Sequence, residues 1–323
     1  MIPRARRLSL IALAVAAMGS CTSAGSVWQA ARVGSGSEHG AVTDHVVVIS
    51  VDGLRPDAIG RFGARTILRL ESEGSAAVRA QTILPSKTLP SHTSMLTGED
   101  VDEHGIAWNS NETDDHGTVA VPTVFGLARS SGFRTAAFFS KGKFNHLEVP
   151  GSLDYSQAPN GNSRWSVDRT AADVERYLAT ARPNLLFVHF GEPDYAGHLW
   201  GWMSYFYGRG VRKADAGVQR VLAAADRAYG AGNYTVILTA DHGGHGRTHG
   251  SNDPRDTTIP WITWGKGVNA ATTVTEHVRT MDTAGTALWL LGVAVPEGLA
   301  GGPVRSAYTG EARRVGDAAA AGS

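Results

Sequence analysis

The chain has 323 residues, 30 Lys+Arg against 30 Asp+Glu, 42% hydrophobic residues and a single cysteine, enough for one large domain or two small ones. Balanced charge, with 19% charged residues in all, leaves no broad basic field to hold a polyanion and argues against a nucleic-acid scaffold, while the apolar content argues against a disordered chain. One cysteine excludes an intrachain disulfide framework and any multi-cysteine zinc or iron–sulfur site, so the chemistry must use oxygen and nitrogen ligands.

At the N-terminus Arg4, Arg6 and Arg7 precede an apolar run from Leu8 to Met18 that ends in small residues, the pattern of an export signal over residues 1–20. At about eleven residues the run is too short to span a bilayer. Met18-Gly19-Ser20-Cys21 resembles the lipobox of a bacterial lipoprotein, in which the cysteine is acylated and becomes the mature N-terminus; the other reading is an incidental Cys21 with cleavage near Ala24. Arg6-Arg7 faintly resembles a twin-arginine signal. The expectation is an exported protein, either a cell-surface lipoprotein tethered to the membrane through lipid on Cys21 or a secreted or periplasmic one. Removing residues 1–20 takes away three arginines and no acids, leaving a net charge of −3. Residues 21–43 are rich in Ser, Gly and Ala and read as a flexible tether.

From His45 the pattern changes to short β-branched runs separated by helical stretches. His45–Val51, Arg134–Ser140, Leu185–Phe190, Tyr234–Thr239 and Ile259–Trp264 are the expected strands. Helices are expected at about Asp57–Glu73, Val121–Ser130, Asp168–Ala181, Val211–Tyr229 and Thr283–Leu291. Continuous apolar strands imply a sheet covered on both faces. The alternation predicts a three-layer α/β sandwich with a mostly parallel central sheet, as one catalytic domain over 44–308 followed by a disordered tail at 309–323.

Reactive groups in such sheets gather at the carboxyl ends of the strands. The first strand runs into Asp52-Gly53, the strand at 185–190 into Asp194 with His198 four residues on, and the strand at 234–239 into Asp241-His242. One such Asp is commonly a helix cap, and one buried His is commonly a hydrogen-bonded core residue. Three strands delivering Asp, two with a nearby His, point instead to metal binding. Asp194 and His198 share a face on a helical turn, and carboxylate with imidazole suits zinc, or else manganese or iron. The nucleophile candidate is Thr88, just before Pro90 at a loop-to-helix junction, where free backbone N–H groups can hold an anion. Its hydroxyl needs a metal to act as alkoxide.

These residues resemble the alkaline phosphatase superfamily, and within it the type I phosphodiesterase and nucleotide pyrophosphatase family. The resemblance covers about residues 45–300. It rests on Val51-Asp52-Gly53, Lys87-Thr88-Leu89-Pro90-Ser91-His92, His104-Gly105-Ile106 with Asn109, Pro193-Asp194 to Gly197-His198, and Asp241-His242-Gly243, in that order. It implies two zinc ions per chain, one held by Asp52, Thr88, Asp241 and His242, the other by Asp194, His198 and a third histidine. Asn109 would donate to a non-bridging phosphoryl oxygen. Here the chain departs from the larger relatives, whose third histidine lies beyond a substantial insertion. His249, in Thr248-His249-Gly250, is the choice, with His245 the alternative and His277 ordinary surface.

The reaction expected is in-line displacement at phosphorus through a phospho-threonine at Thr88, between two metals ~4 Å apart. The substrate expected is a small-molecule phosphoester, a phosphodiester or nucleotide pyrophosphate; phosphomonoester or phosphonoacetate hydrolase-like activity is the alternative, and a non-catalytic metal-binding lipoprotein a further one. Sulfatase chemistry fits less well, because no Cys/Ser-x-Pro-x-Arg motif surrounds Thr88. Lys141 and Lys143 resemble a lysine pair that phosphonoacetate hydrolases use on a substrate carboxylate, or are a solvated turn. Trp200, Trp202, Tyr205, Phe206 and Tyr207 either stack on a leaving group or pack as core. Trp108 is expected in the cleft wall. Oligomeric state is not legible.

Overall fold

The run Val46–Val51 has almost no polar face to show water, and it forms the central strand β1, buried along its whole length. The computed structural model describes residues 40–309, so the expected export signal, Cys21, most of the tether and nearly all of the tail lie outside the described residues. The other strands are β2 (Ser75–Ala77), β3 (Ala80–Gln81), β4 (Thr135–Phe138), β5 (Tyr155–Gln157), β6 (Leu185–Phe190), β7 (Thr235–Thr239), β8 (Trp261–Gly265), β9 (Thr272–Val274) and β10 (Val278–Arg279). Eight of them form one sheet in the order β5-β4-β6-β1-β7-β8-β2-β9. From β5 to β7 every pairing is parallel. Strand β8 runs antiparallel to both its neighbours, β9 is parallel to β2, and β3 pairs with β10 apart from the main sheet.

Helices cover both faces, as the fully buried strands require. The long helix Tyr205–Tyr229 packs on helices Pro56–Phe62, Arg65–Glu73, Val167–Leu178 and Glu192–Trp200. A second group, Asp282–Leu290, Thr88–Thr97 and Val124–Ser130, packs together and reaches β1. One continuous hydrophobic core joins the layers. The fold is thus the expected α/β sandwich with a largely parallel sheet.

Details differ from expectation for local reasons. The single helix expected over 57–73 is two, because Gly63 adopts φ 66° and its N–H closes the first helix on Gly60 and Ile59 carbonyls. The long helix starts six residues early, where Ser204 accepts from the Tyr207 N–H as an N-cap. Val42 and Thr43, read as tether, both donate to the Leu290 carbonyl, at 2.9 and 3.1 Å, and Thr43 is buried. Among the described residues no helix is long and apolar enough to cross a membrane.

Candidate metal centre and catalytic cleft

Four neighbouring strands, β4, β6, β1 and β7, run parallel, so their carboxyl ends lie along one edge of the sheet. Val51 of β1 stands opposite Phe190 of β6, and Ser50 opposite Thr239 of β7. This flush register gathers the residues just past each strand end: Lys141 after β4, Asp194 after β6, Asp52 after β1, Asp241 and His242 after β7. Gly53 makes the close approach possible. It sits at φ 70°, and a Cβ there would lie 3.0 Å from Asp194 Cα and Cβ.

Two groups result. Asp52, Asp241 and His242 offer ligand atoms within 4.8 Å of one another and are all buried; Asp194, His198 and His249 form the second such set. Thr88 opens the helix Thr88–Thr97, with Oγ1 3.3 Å from Nε2 of His242. The imidazoles are oriented from behind. Nδ1 of His242 lies 2.8 Å from the Gly243 carbonyl, that of His249 2.8 Å from the Ser86 carbonyl, and that of His198 3.1 Å from the Arg247 carbonyl. With Nδ1 donating, each Nε2 presents a lone pair inward. The Nε2 atoms of His198 and His249 face each other at 3.2 Å.

The carboxylates are under-neutralised. One buried oxygen on each of Asp52, Asp194 and Asp241 lacks a hydrogen-bond donor. The only ammonium among them is Lys141, whose Nζ is 2.6 Å from both Asp52 Oδ2 and Asp194 Oδ2. Burial opposes ionisation of Asp52, but the Lys141 charge, then the His189 hydrogen bond, hold it well below the usual range. At Asp241 burial, then the Asp52 charge, push it well above. Burial and the His242 charge lower His249 to about 3, leaving it neutral. Buried, unpartnered carboxylate oxygens facing imidazole nitrogens fit a divalent cation.

A cleft of about 310 Å³ opens over these groups, lined by Thr88, Asn109, Lys143, Arg164, Asp194, His198 and His249 among others. Asn109 Oδ1 accepts from the Leu89 N–H at 2.9 Å and from Lys143 Nζ at 3.1 Å, which leaves Nδ2 as its free donor. The same bond consumes the Leu89 N–H, and Pro90 has none, so the expected set of free amides at the helix start reduces to that of Thr88.

Other expectations change. Lys141 is neither a solvated turn nor free to hold a substrate carboxylate, being buried between Asp52 and Asp194; both lysines line the cleft, but among the described residues only Lys143 of the two has no carboxylate partner. Trp108 does not line the cleft, since its ring stacks on His116 at 4.6 Å and donates to His146 at 3.3 Å. His245 stays out of both groups because Asp256 holds its Nδ1 at 2.7 Å. Trp202 and Tyr207 are core, both donating to the Gly53 carbonyl, whereas Trp200, Tyr205 and Phe206 are exposed. Sequence reasoning missed His189 and His92. His189 Nε2 lies 2.8 Å from Asp52 Oδ2, with Nδ1 2.8 Å from Ser140 Oγ; His92 Nδ1 lies 2.8 Å from the Thr88 carbonyl, with Nε2 2.8 Å from Ser50 Oγ. The signal for His189 was a lone imidazole inside the apolar strand Leu185–Phe190.

A largely parallel sheet thus gathers carboxylate and imidazole groups around a buried hydroxyl at its carboxyl edge. The profile of the type I phosphodiesterase/nucleotide pyrophosphatase family matches residues 46–264, and the chain belongs to that family. GPI ethanolamine phosphate transferase 1 of Aspergillus oryzae is 26% identical over 227 residues, 62% of this chain and 21% of its own. Bis(5'-adenosyl)-triphosphatase enpp4 of Xenopus laevis is 25% identical over 219 residues, 62% of this chain and 47% of its own. The chain thus spans about a fifth of the one and about half of the other. Among solved structures, murine ectonucleotide pyrophosphatase/phosphodiesterase 5 superposes with a TM-score of 0.66 at 16% identity, over 78% of this chain and 96% of that one. A 2-O GAG sulfatase does so at 0.67 and 18% identity, over 84% and 76%. Both likenesses show the shared fold.

Proposed function

We propose that this chain is a two-metal phosphohydrolase that cleaves phosphodiester or nucleotide pyrophosphate bonds through a phospho-threonine at Thr88. One observation carries the reading: the Thr88 hydroxyl lies 3.3 Å from His242 of one carboxylate–imidazole group and lines a cleft with the other, and the carboxylates of both groups each keep a buried oxygen without a donor. Asp52, Thr88, Asp241 and His242 would hold one zinc ion, and Asp194, His198 and His249 the other. When bound, these ions supply positive charge that favours the threonine alkoxide and neutralises the phosphoryl oxygens.

The chain's own residues supply position and polarity. As the Thr88 Oγ1–P bond forms, Oγ1 gives up its proton, the bond from phosphorus to the leaving oxygen breaks, and the electron pair and, by way of solvent, a proton go to the departing alcohol or nucleotide. Asn109, fixed through Oδ1, turns Nδ2 to a non-bridging oxygen, and the Thr88 N–H adds a second donor. Water then adds at phosphorus, the Oγ1–P bond breaks, and Thr88 regains its proton. Support comes also from murine ectonucleotide pyrophosphatase/phosphodiesterase 5, of which a threonine-to-alanine variant is inactive and is in complex with AMP. The leader and Cys21 fit export with a lipid tether; Cys21→Ser should move the protein from the membrane fraction to the soluble one, and unchanged membrane association would refute the tether.

Turnover of bis-p-nitrophenyl phosphate, p-nitrophenyl phosphate and phosphonoacetate should be compared on one zinc-loaded sample of known metal content. Diester preference with two ions per chain is expected. Two bound ions with no hydrolysis of any substrate would replace the enzyme with a metal-binding scaffold.

A further inference from the structure

The cleft beside Thr88 has a cationic wall. Lys143 and Arg164 both line it, and among the described residues neither forms an ion pair with an acid. Lys143 Nζ donates to an amide oxygen, that of Asn109. The Arg164 guanidinium lies 4.2 Å from the centroid of the Tyr195 ring. Tyr195 neighbours Asp194 on the helix Glu192–Trp200, so this arginine is held beside the element that carries Asp194 and His198. A guanidinium laid on an aromatic face keeps its N–H edge available for a planar or tetrahedral anion.

The segment carrying Arg164 is built into place by its backbone. Arg164 forms an antiparallel bridge with Lys141. The Gly142 N–H donates to the Ser163 carbonyl at 3.0 Å and the Trp165 N–H to the Ser140 carbonyl at 2.8 Å. Asn111 binds it from the other side, its N–H donating to Asn162 Oδ1 at 2.8 Å and its Nδ2 to the Gly161 carbonyl at 3.2 Å. A Cβ on Gly142 would lie 2.0 Å from the Gly161 oxygen, so segment and lysine turn are in direct contact. None of these contacts involves the Arg164 side chain, which is exposed and contributes no structural ion pair.

We infer that Arg164, with Lys143 as the second cation of the same cleft, binds a second anionic group on the part of the substrate that does not react. The inference rests on the phosphohydrolase reading and narrows it: the preferred substrate carries a carboxylate or a further phosphoryl group beyond the reacting phosphorus. A neutral aryl ester fills the reacting centre only, and a protonated amine head group meets two like charges.

The test is titration calorimetry on the zinc-loaded full chain with two ligand pairs, phosphonoacetate against ethylphosphonate and α,β-methylene-ADP against AMP. The first pair probes a carboxylate, the second a further phosphoryl group. The wild type should bind the more anionic member of at least one pair about tenfold tighter, the scale of one charge-assisted hydrogen bond. Arg164→Glu should abolish that preference and Arg164→Lys should keep part of it. Equal affinities within both pairs, or a preference unchanged in Arg164→Glu, would overturn the subsite. Turnover of bis-p-nitrophenyl phosphate by the same sample reports separately on the hydrolase reading. A preserved preference without turnover sinks that reading alone; turnover without preference sinks the subsite alone.

Discussion

His198, His242 and His249 each make one hydrogen bond from ring Nδ1 to a backbone carbonyl. That bond fixes their tautomer and leaves Nε2 facing the carboxylates of Asp52 and Asp194. His245 has the opposite arrangement, with Nδ1 committed to Asp256. On the two-metal proposal His249→Ala should therefore lose one ion per chain relative to the wild type, whereas His245→Ala should lose none, as read by metal analysis after gel filtration. Loss of an ion from His245→Ala with retention in His249→Ala would reverse their roles. A pH effect belongs at the same scale. Burial lowers His104 from 6.5 to about 4, where it bonds to Ser94 Oγ and accepts from the Ile106 N–H. Its folded pKa lies below its unfolded one, so the stability it gives is present above pH 6.5 and is lost as pH falls from there through about 4. Denaturant titration should find His104→Gln less sensitive than wild type to acidification from pH 7 to pH 5; equal sensitivity would remove His104 from the acid response.

At the scale of elements, Trp202 links helix Glu192–Trp200 to the turn after β1. Its indole donates to the Gly53 carbonyl at 3.0 Å and fills a slot in which a Cβ on Gly197 would come within 2.6 Å and one on Gly244 within 2.1 Å. Trp202→Ala should cost about 3–5 kcal/mol of stability and lower turnover as well, because the emptied slot frees the helix bearing Asp194 and His198. A destabilised protein with wild-type turnover would show that the helix is positioned without it. The elements also explain what the sequence disclosed. Strands β1, β4, β6, β7 and β8 are long apolar runs; β2, β3, β5, β9 and β10 have two or three residues each, too few for a period to register. Asp52, Asp194 and Asp241 were legible because each comes soon after an apolar run, and Thr88 because Pro90 marks a helix start. Lys141 and Arg164 were not legible in these places, since only sheet order brings the β4 turn beside the β1 and β6 turns. Adjacency misled at Trp108, which neighbours Asn109 in sequence but turns its ring toward His116 and His146.

Across the whole molecule, the site is a charge imbalance placed at the seam of the sheet. Of three buried carboxylates, two, Asp52 and Asp194, share the Lys141 ammonium, an arrangement that a divalent cation offsets and that the metal-free fold must tolerate. Removing metal should lower the melting temperature by roughly 5–10 °C, the range expected when ligand at about a hundred times its Kd is taken from a domain of this size, and zinc should restore it. An unchanged melting temperature would mean that the clusters do not bind metal in the folded state. The measurement that bears most directly on the account is covalent trapping: the zinc-loaded protein is quenched in acid during turnover of a diester, digested, and mapped by mass spectrometry. A phosphoryl or phosphodiester adduct is expected on Thr88, absent in Thr88→Ala, whose metal content stays close to that of the wild type. An adduct on another residue, or full turnover by Thr88→Ala, would contradict it.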